Sequence, residues 1–218
     1  MELTFLLLFF VFGGKGMAKL VCGIGYNSGK YTAYEGGKIT NEYKLWANML
    51  YRCTKKYWIK NPTYTGTTCS DNFKSFEYFR EWCQEQPNFT TVDDGGFRWC
   101  LDKDFLSGTG EDGKIYSEDT CVFIPQQINK LLNRRRFSRG SCPVGVCLNK
   151  QTNKYQAQCS IGLRATKGLG GFNTAEEAFQ AYKIFKESLI KEVAKKYKDV
   201  LDVRVYQKLI KYEITIID

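Results

Sequence analysis

Residues 99 to 136, WCLDKDFLSGTGEDGKIYSEDTCVFIPQQINKLLNRRR, constrain the fold more than any other stretch of the chain. The alternation in RWCLDKDF predicts a strand with Trp99, Leu101, Lys103 and Phe105 on one side. Cys100, Asp102 and Asp104 then share the other side, because successive side chains of a strand point to opposite faces. The glycine-rich SGTGEDGK reads as a loop tip, and IYSEDTCVFI as a turn and a second short strand. Pro125 opens a helix, a favoured first-turn position. On that helix Ile128, Leu131 and Leu132 share one side, and Gln126, Asn129 and Asn133 another. Strand, loop, strand, helix is the expected order, with carboxylates on the first strand and amides on the helix.

Such a small unit needs neighbours to cover its apolar faces. YKLWANMLYRC, residues 43–53, sets Leu45, Trp46, Met49, Leu50 and Cys53 at helical spacing. FKSFEYFREWCQE, residues 73–85, sets Phe73, Phe76, Phe79, Trp82 and Cys83 on or near one stripe of a second helix. The intervening KNPTYTGTTCSD is rich in turn residues. After the basic run come three short antiparallel strands, VGVCLNK, KYQAQCSIG and ATKGLGGF. A long helix follows, with Asn173 or Thr174 as its cap and Glu176 and Glu177 in its first turn, where the helix dipole favours acids. The tail reads as a further helix and an irregular or strand-like end. The expected class is α+β. Its expected divisions are an apolar extension (1–16) outside the fold, a first domain (17–139), a sheet domain (140–187) and a C-terminal helical extension (188–218).

Composition narrows the partners. Residues 130–196 carry 14 of the 32 Lys and Arg but only 4 of the 23 acids, so the whole excess behind the net charge of +9 lies there. That asymmetry suits a polyanion, since each Lys or Arg on a phosphate releases counterions. Nine scattered cysteines, odd in number and without a Cys-x-x-Cys pair, do not read as a secreted disulfide framework. They read as reduced thiols of a cytoplasmic protein, with a zinc site assembled from distant cysteines as the alternative. The apolar run Leu3 to Phe12 is too short to span a bilayer as a helix, so no membrane is expected.

Two family resemblances follow from these pieces. Residues 43–136 resemble the HNH (ββα-metal) endonucleases of phages and mobile introns. YKLWANMLYRC, PTYTG, FKSFEYFREW, LDKD, YSEDTC and PQQIN stand in their order and spacing. Residues 143–186 resemble the Apetala-two (ethylene-response-factor) DNA-binding domain, through Gly145–Val146, KYQAQ at 154–158, LGGF at 169–172 and TAEEAFQAY at 174–182. The first resemblance implies a ββα core clamped on the minor-groove side of a phosphodiester around one magnesium or manganese ion. Its metal ligands fall on Asp102 and Asn129, with Asp104 assisting; oxygen ligands of this kind suit such ions. The second implies a three-stranded sheet backed by a helix, its exposed face in the major groove of double-stranded DNA. Lys150, Lys154, Tyr155, Gln156, Gln158, Arg164 and Lys167 are the candidates for that face, after the cluster Arg134, Arg135, Arg136 and Arg139. Strand alternation groups Lys154, Gln156 and Gln158 outward, and Tyr155, Ala157 and Cys159 toward the helix.

The chain departs from the HNH pattern in having no histidine at all. Lys103 stands where the general base belongs, and Thr120, next to Asp119, where the middle asparagine belongs. An ammonium accepts no proton, so Lys103 is expected to clamp phosphate or stabilise the transition state. Water activation then falls to the metal or to the substrate phosphate. The expected function is a site-directed, monomeric DNA endonuclease of phage or mobile-element type. Its rivals are a DNA-binding regulator on an inactive nuclease scaffold and a zinc-stabilised interaction module.

Overall fold

A computed structural model describes residues 19–108, 114–132, 142–162 and 165–216. The extension 1–16 and the arginines at 134, 135, 136, 139 and 164 lie outside these residues. The fold is α+β. In chain order its elements are β1 (Tyr34–Glu35), β2 (Lys38–Ile39), α1 (Asn41–Arg52), α2 (Lys55–Lys60), a 3-10 turn (Pro62–Tyr64), β3 (Thr68–Cys69), α3 (Asp71–Lys74) and α4 (Phe76–Glu85). Then follow β4 (Cys100–Asp102), α5 (Asp104–Ser107), β5 (Ile115–Tyr116), β6 (Val122–Ile124), α6 (Gln126–Leu132), β7 (Val146–Asn149), β8 (Lys154–Gly162), β9 (Ala165–Phe172), α7 (Ala175–Lys196) and α8 (Val203–Ile210).

The aromatic stripes are core, as their spacing implies. Trp46, Met49, Leu50, Phe73, Phe76 and Phe79 are fully buried, and the Tyr43 and Phe76 rings meet edge-on at 5.0 Å. The Trp46 indole N–H donates to the Phe73 carbonyl at 2.8 Å, so burial leaves that polar group satisfied. FKSFEYFREWCQE does not form one helix. Ser75 is extended (φ −81°, ψ 124°) and accepts a hydrogen bond from the Tyr78 backbone, ending α3 and capping α4. The KNPTYTGTTCSD region, expected as turns, is preceded by α2, capped by Thr54, and contains β3.

β4 pairs antiparallel with β6, Leu101 opposite Phe123, both buried; α6 follows β6 directly. Trp82 of α4 packs on Phe123 at 5.8 Å, joining the helices to this strand pair. The expected strand through Phe105 stops at Asp102. The Asp102 carboxylate accepts hydrogen bonds from the backbone N–H groups of Asp104 (3.0 Å) and Phe105 (2.7 Å), which starts the helical turn α5. A side chain that satisfies the first free N–H groups of a helix fixes where the strand must end. Lys103 and Asp104 therefore leave the predicted alternation.

Strands β7, β8 and β9 form an antiparallel sheet in sequence order, with α7 across one face. Thr174 is the cap of α7 and forms a capping box with Glu177. Gly145, at φ +75°, sits against the Tyr182 ring of α7, and a Cβ there would collide with that ring. A single hydrophobic cluster runs from Trp46 through Val146, Ala157 and Phe179 to Ile214. The end of the chain is tied back: Lys183 donates to the Ile214 carbonyl at 2.7 Å and Glu187 accepts from the Ile214 N–H at 2.8 Å. Among the described residues no helix is long and apolar enough to cross a membrane.

Candidate functional site

Asp102 and Cys100 leave β4 on the same face, while Leu101 between them is buried on the other. Helix α6 packs beside β4 and places Asn129 close to Cys100. The two proposed metal ligands are thus both neighbours of Cys100. Burial raises the pKa of Cys100, and the nearby Asn129 amide works against that rise. Burial also raises the pKa of Asp102; the Phe105 and Asp104 amides and the Lys103 charge offset this only in part, and the Asp104 charge adds to it. Asp102 is thus a half-buried carboxylate whose charge is only partly compensated.

Asp104 and Lys103 do not take the positions expected of them. Asp104 is the first residue of α5 and pairs its carboxylate with the Lys103 ammonium. Lys103 is only 5% exposed, its ammonium 5.5 Å from the centre of the Tyr64 ring and 5.5 Å from that of Tyr116. That cation is held inside a tyrosine box, where ring quadrupoles and Asp104 compensate its lost hydration, instead of facing a groove. Beside it the Arg52 guanidinium donates to the Tyr116 hydroxyl at 3.3 Å. Burial opposes the Arg52 charge, but the phenol oxygens of Tyr116 and Tyr64 hold its pKa above the ordinary value. Burial raises Tyr116 and Tyr64 in turn, with Arg52 pulling both down. Thr120, at the position of the middle asparagine, accepts from the Ser117 N–H at 3.0 Å and donates to the Ile115 carbonyl at 2.6 Å, so it shapes the turn before β6.

Among the described residues no three or more Cys, Asp or Glu are grouped to hold a metal ion. What the face offers is one carboxylate and one amide, each near the same thiol. Such a donor set fits a hard divalent ion that keeps several waters and is completed by a phosphate, and a carboxylate whose charge is only partly compensated suits it. It does not fit a closed zinc site, which needs four protein ligands.

The sheet presents a second surface. Lys154, Gln156 and Gln158 are exposed together on one face of β8, and Ala157 and Cys159 are buried under α7 with Tyr155 half-buried on that side. Gln156 lies opposite Gly171, and Gln158 opposite Gly168. On the β9 side the two amides therefore have no side chain opposite them, while on the β7 side Cys147 lies opposite Gln156 and accepts from the Gln158 amide at 4.0 Å. Lys150 is exposed in the turn beside them, where the Asn149 side chain accepts from Gln151 and Thr152. Lys167 departs from the expected face. It is opposite buried Cys159, and its ammonium lies 4.8 Å over the Phe185 ring of α7.

The structure thus puts Asp102 and Asn129 each near Cys100, and groups Lys154 with Gln156 and Gln158. It turns Asp104, Lys103 and Lys167 elsewhere. Cys100 stands on the Asp102 face as strand alternation placed it, whereas Arg52, Tyr64 and Tyr116 belong to the site and were not singled out from the sequence. The only trace of those three is that YKLWANMLYRC, PTYTG and YSEDTC are among the pieces carrying the nuclease resemblance. Compared with known proteins, the chain has no significant match to any family model, curated protein or solved structure.

Proposed function

We propose that the chain is a metal-dependent DNA endonuclease of HNH type, a monomer that grips double-stranded DNA with its sheet and cleaves one phosphodiester at the β4–α6 face. The observation that supports this most is that Asp102, from β4, and Asn129, from the helix after its partner strand, both lie near Cys100. One magnesium or manganese ion held there would neutralise charge on the scissile phosphate and lower the pKa of a bound water. The chain's own residues have other tasks. Asp102 and Asn129 hold the ion. Lys103 keeps Asp104 turned away from the ion face, and Arg52 braces the tyrosines around Lys103. Lys150, Lys154, Gln156 and Gln158 hold and read the duplex, glutamine being suited to adenine edges.

The test is nicking of supercoiled plasmid with magnesium or manganese. Cleavage that needs the ion and is lost in Asp102→Asn and Asn129→Ala is expected; intact plasmid with both metals across varied target sequences would sink the enzymatic reading. A second reading, a DNA-binding protein on an inactive nuclease scaffold, is favoured by the absence of histidine and by the burial of Lys103. It keeps duplex binding but no cleavage. Both readings require affinity to fall steeply with salt, and Lys154→Ala to reduce the slope of log K against log salt by about one.

A further inference from the structure

The face of β8 that carries Lys154, Gln156 and Gln158 runs on to Ser160, which is exposed on the same side. There the pairing of β8 with β9 shifts register between Ser160 and Gly162, and α6 packs beside β8. A cavity of about 230 Å³ opens at this junction. Strand β8 contributes Ser160 and Gly162 to its lining, and α6 contributes Gln126, Gln127 and Lys130. Phe97 and Tyr197 supply aromatic walls.

Hydrogen bonds fix these walls. The Asp93 carboxylate accepts from the backbone N–H groups of Gly95 and Phe97, both at 3.0 Å, and the Asp93 N–H donates to the Phe97 carbonyl at 2.8 Å. That turn lays the Phe97 ring against Gly95, where a Cβ would meet the ring at 2.9 Å. The ring is still 43% exposed. The Lys130 ammonium stands 5.6 Å from its centre, on a flexible, exposed stem that can swing aside. Tyr197 is buried, and its hydroxyl donates to the Gln127 side-chain oxygen at 3.3 Å, leaving the Gln127 amino group to donate in turn. Asp94 pairs with Lys196, and Asp93 and Lys130 are the other charged groups of the lining, so its formal charges cancel.

A charge-balanced lining has no net pull on a phosphate or a carboxylate. The volume lies below the roughly 300 to 1,000 Å³ of sites for drug-sized ligands, which excludes a whole dinucleotide. An exposed aromatic ring beside two amides and a hydroxyl suits a flat, uncharged heterocycle that both donates and accepts hydrogen bonds. We propose that this cavity receives a single nucleobase, stacked on Phe97 and hydrogen-bonded along its edge by Gln126, Gln127 and Ser160. A free nucleoside and an unpaired base of DNA share that chemistry. Position favours the base of DNA. Gln126 stands one helical turn before Asn129 on α6, and Ser160 follows Gln158 on the same face of β8, so the cavity lies between the proposed ion face and the proposed reading face. The choice of source rests on the DNA-binding reading above, whereas the fit of a base rests on the cavity alone.

The test uses the full chain in EDTA, so cleavage plays no part in the readout. Fluorescence anisotropy compares duplexes carrying one unpaired nucleotide, each of the four bases in turn, with the same duplex carrying an unpaired abasic residue. The abasic control keeps the flexible kink and removes only the base. For at least one base the base-bearing duplex should bind about tenfold more tightly, the scale of stacking on an aromatic ring. Phe97→Ala removes an exposed ring, so its melting temperature should hold while the affinity ratio falls to about one. In parallel, saturation-transfer NMR is run with the four free deoxynucleosides; a signal that Phe97→Ala abolishes supports the cavity with a free nucleoside as its ligand. Equal affinity for base-bearing and abasic duplexes without such a signal overturns the proposal, as does a preference that survives Phe97→Ala. If no duplex binds at all, the DNA-binding reading fails and the nucleoside signal alone decides the cavity.

Discussion

At Asp102 one carboxylate oxygen accepts from two successive backbone N–H groups, so the residue holds the start of α5 besides the ion-binding role proposed for it. The two roles separate by substitution. Asparagine caps helices as well as aspartate does, whereas alanine does not. Asp102→Asn should leave the melting temperature almost unchanged and abolish metal-dependent nicking. Asp102→Ala should do both harms, costing about 1 kcal/mol of stability and a fall of about 2 to 4 °C in calorimetry. A nicking rate in Asp102→Asn equal to that of the unaltered protein would remove Asp102 from the proposed metal site. The facing of Asp102 was legible in the sequence, because strand alternation puts it with Cys100 and opposite buried Leu101. Asp104 and Lys103 were misplaced by the same rule, since a period of two says nothing about the residue at which a side chain caps the next turn. Arg52 and Tyr64 were invisible for another reason: periodicity shows which side of an element is buried, not which polar groups meet there.

The sheet and α7 show the converse, strong local rules that agree with one another. β8 alternates between exposed Lys154, Gln156 and Gln158 and inward Tyr155, Ala157 and Cys159, and α7 begins at a Thr174 capping box, so both were readable. The break at Ser75 was not, because Phe73 and Phe76 keep helical spacing across it. Gly145→Ala should destabilise the protein by about 2 to 4 kcal/mol, combining the cost of a left-handed backbone with collision against Tyr182, as read in denaturant unfolding. Lys186 gives α7 a pH signature. Burial lowers its pKa in the folded protein, with the Cys159 thiol opposing. The unfolded chain therefore binds more protons between that lowered value and about 10.4, and stability must rise with pH across this window. Lys186→Met should flatten that rise and raise the melting temperature below it; an unchanged slope would show that Lys186 is solvated.

Across the whole molecule the two halves meet through their helices. The Tyr197 hydroxyl hydrogen-bonds Gln127 of α6 at 3.3 Å, and the Tyr197 ring meets Trp99 edge-on at 5.9 Å. Lys208 of α8 donates to the Leu106 carbonyl at 3.0 Å and lies 5.5 Å over the Phe105 ring, holding the turn that follows Asp102. Lys208→Met should slow nicking several-fold while leaving duplex affinity and its salt slope unchanged; a parallel loss of affinity would place Lys208 in the DNA interface instead. The knot at Ile214, where Lys183 and Glu187 grip both its carbonyl and its amide, gives the tail a further property. An exopeptidase working inward from the carboxyl end should trim to this point and stall. Once Ile214 is removed, α8 loses its anchor and digestion should accelerate into it, so that a two-phase trimming curve reports how firmly the last strap of the chain is buckled.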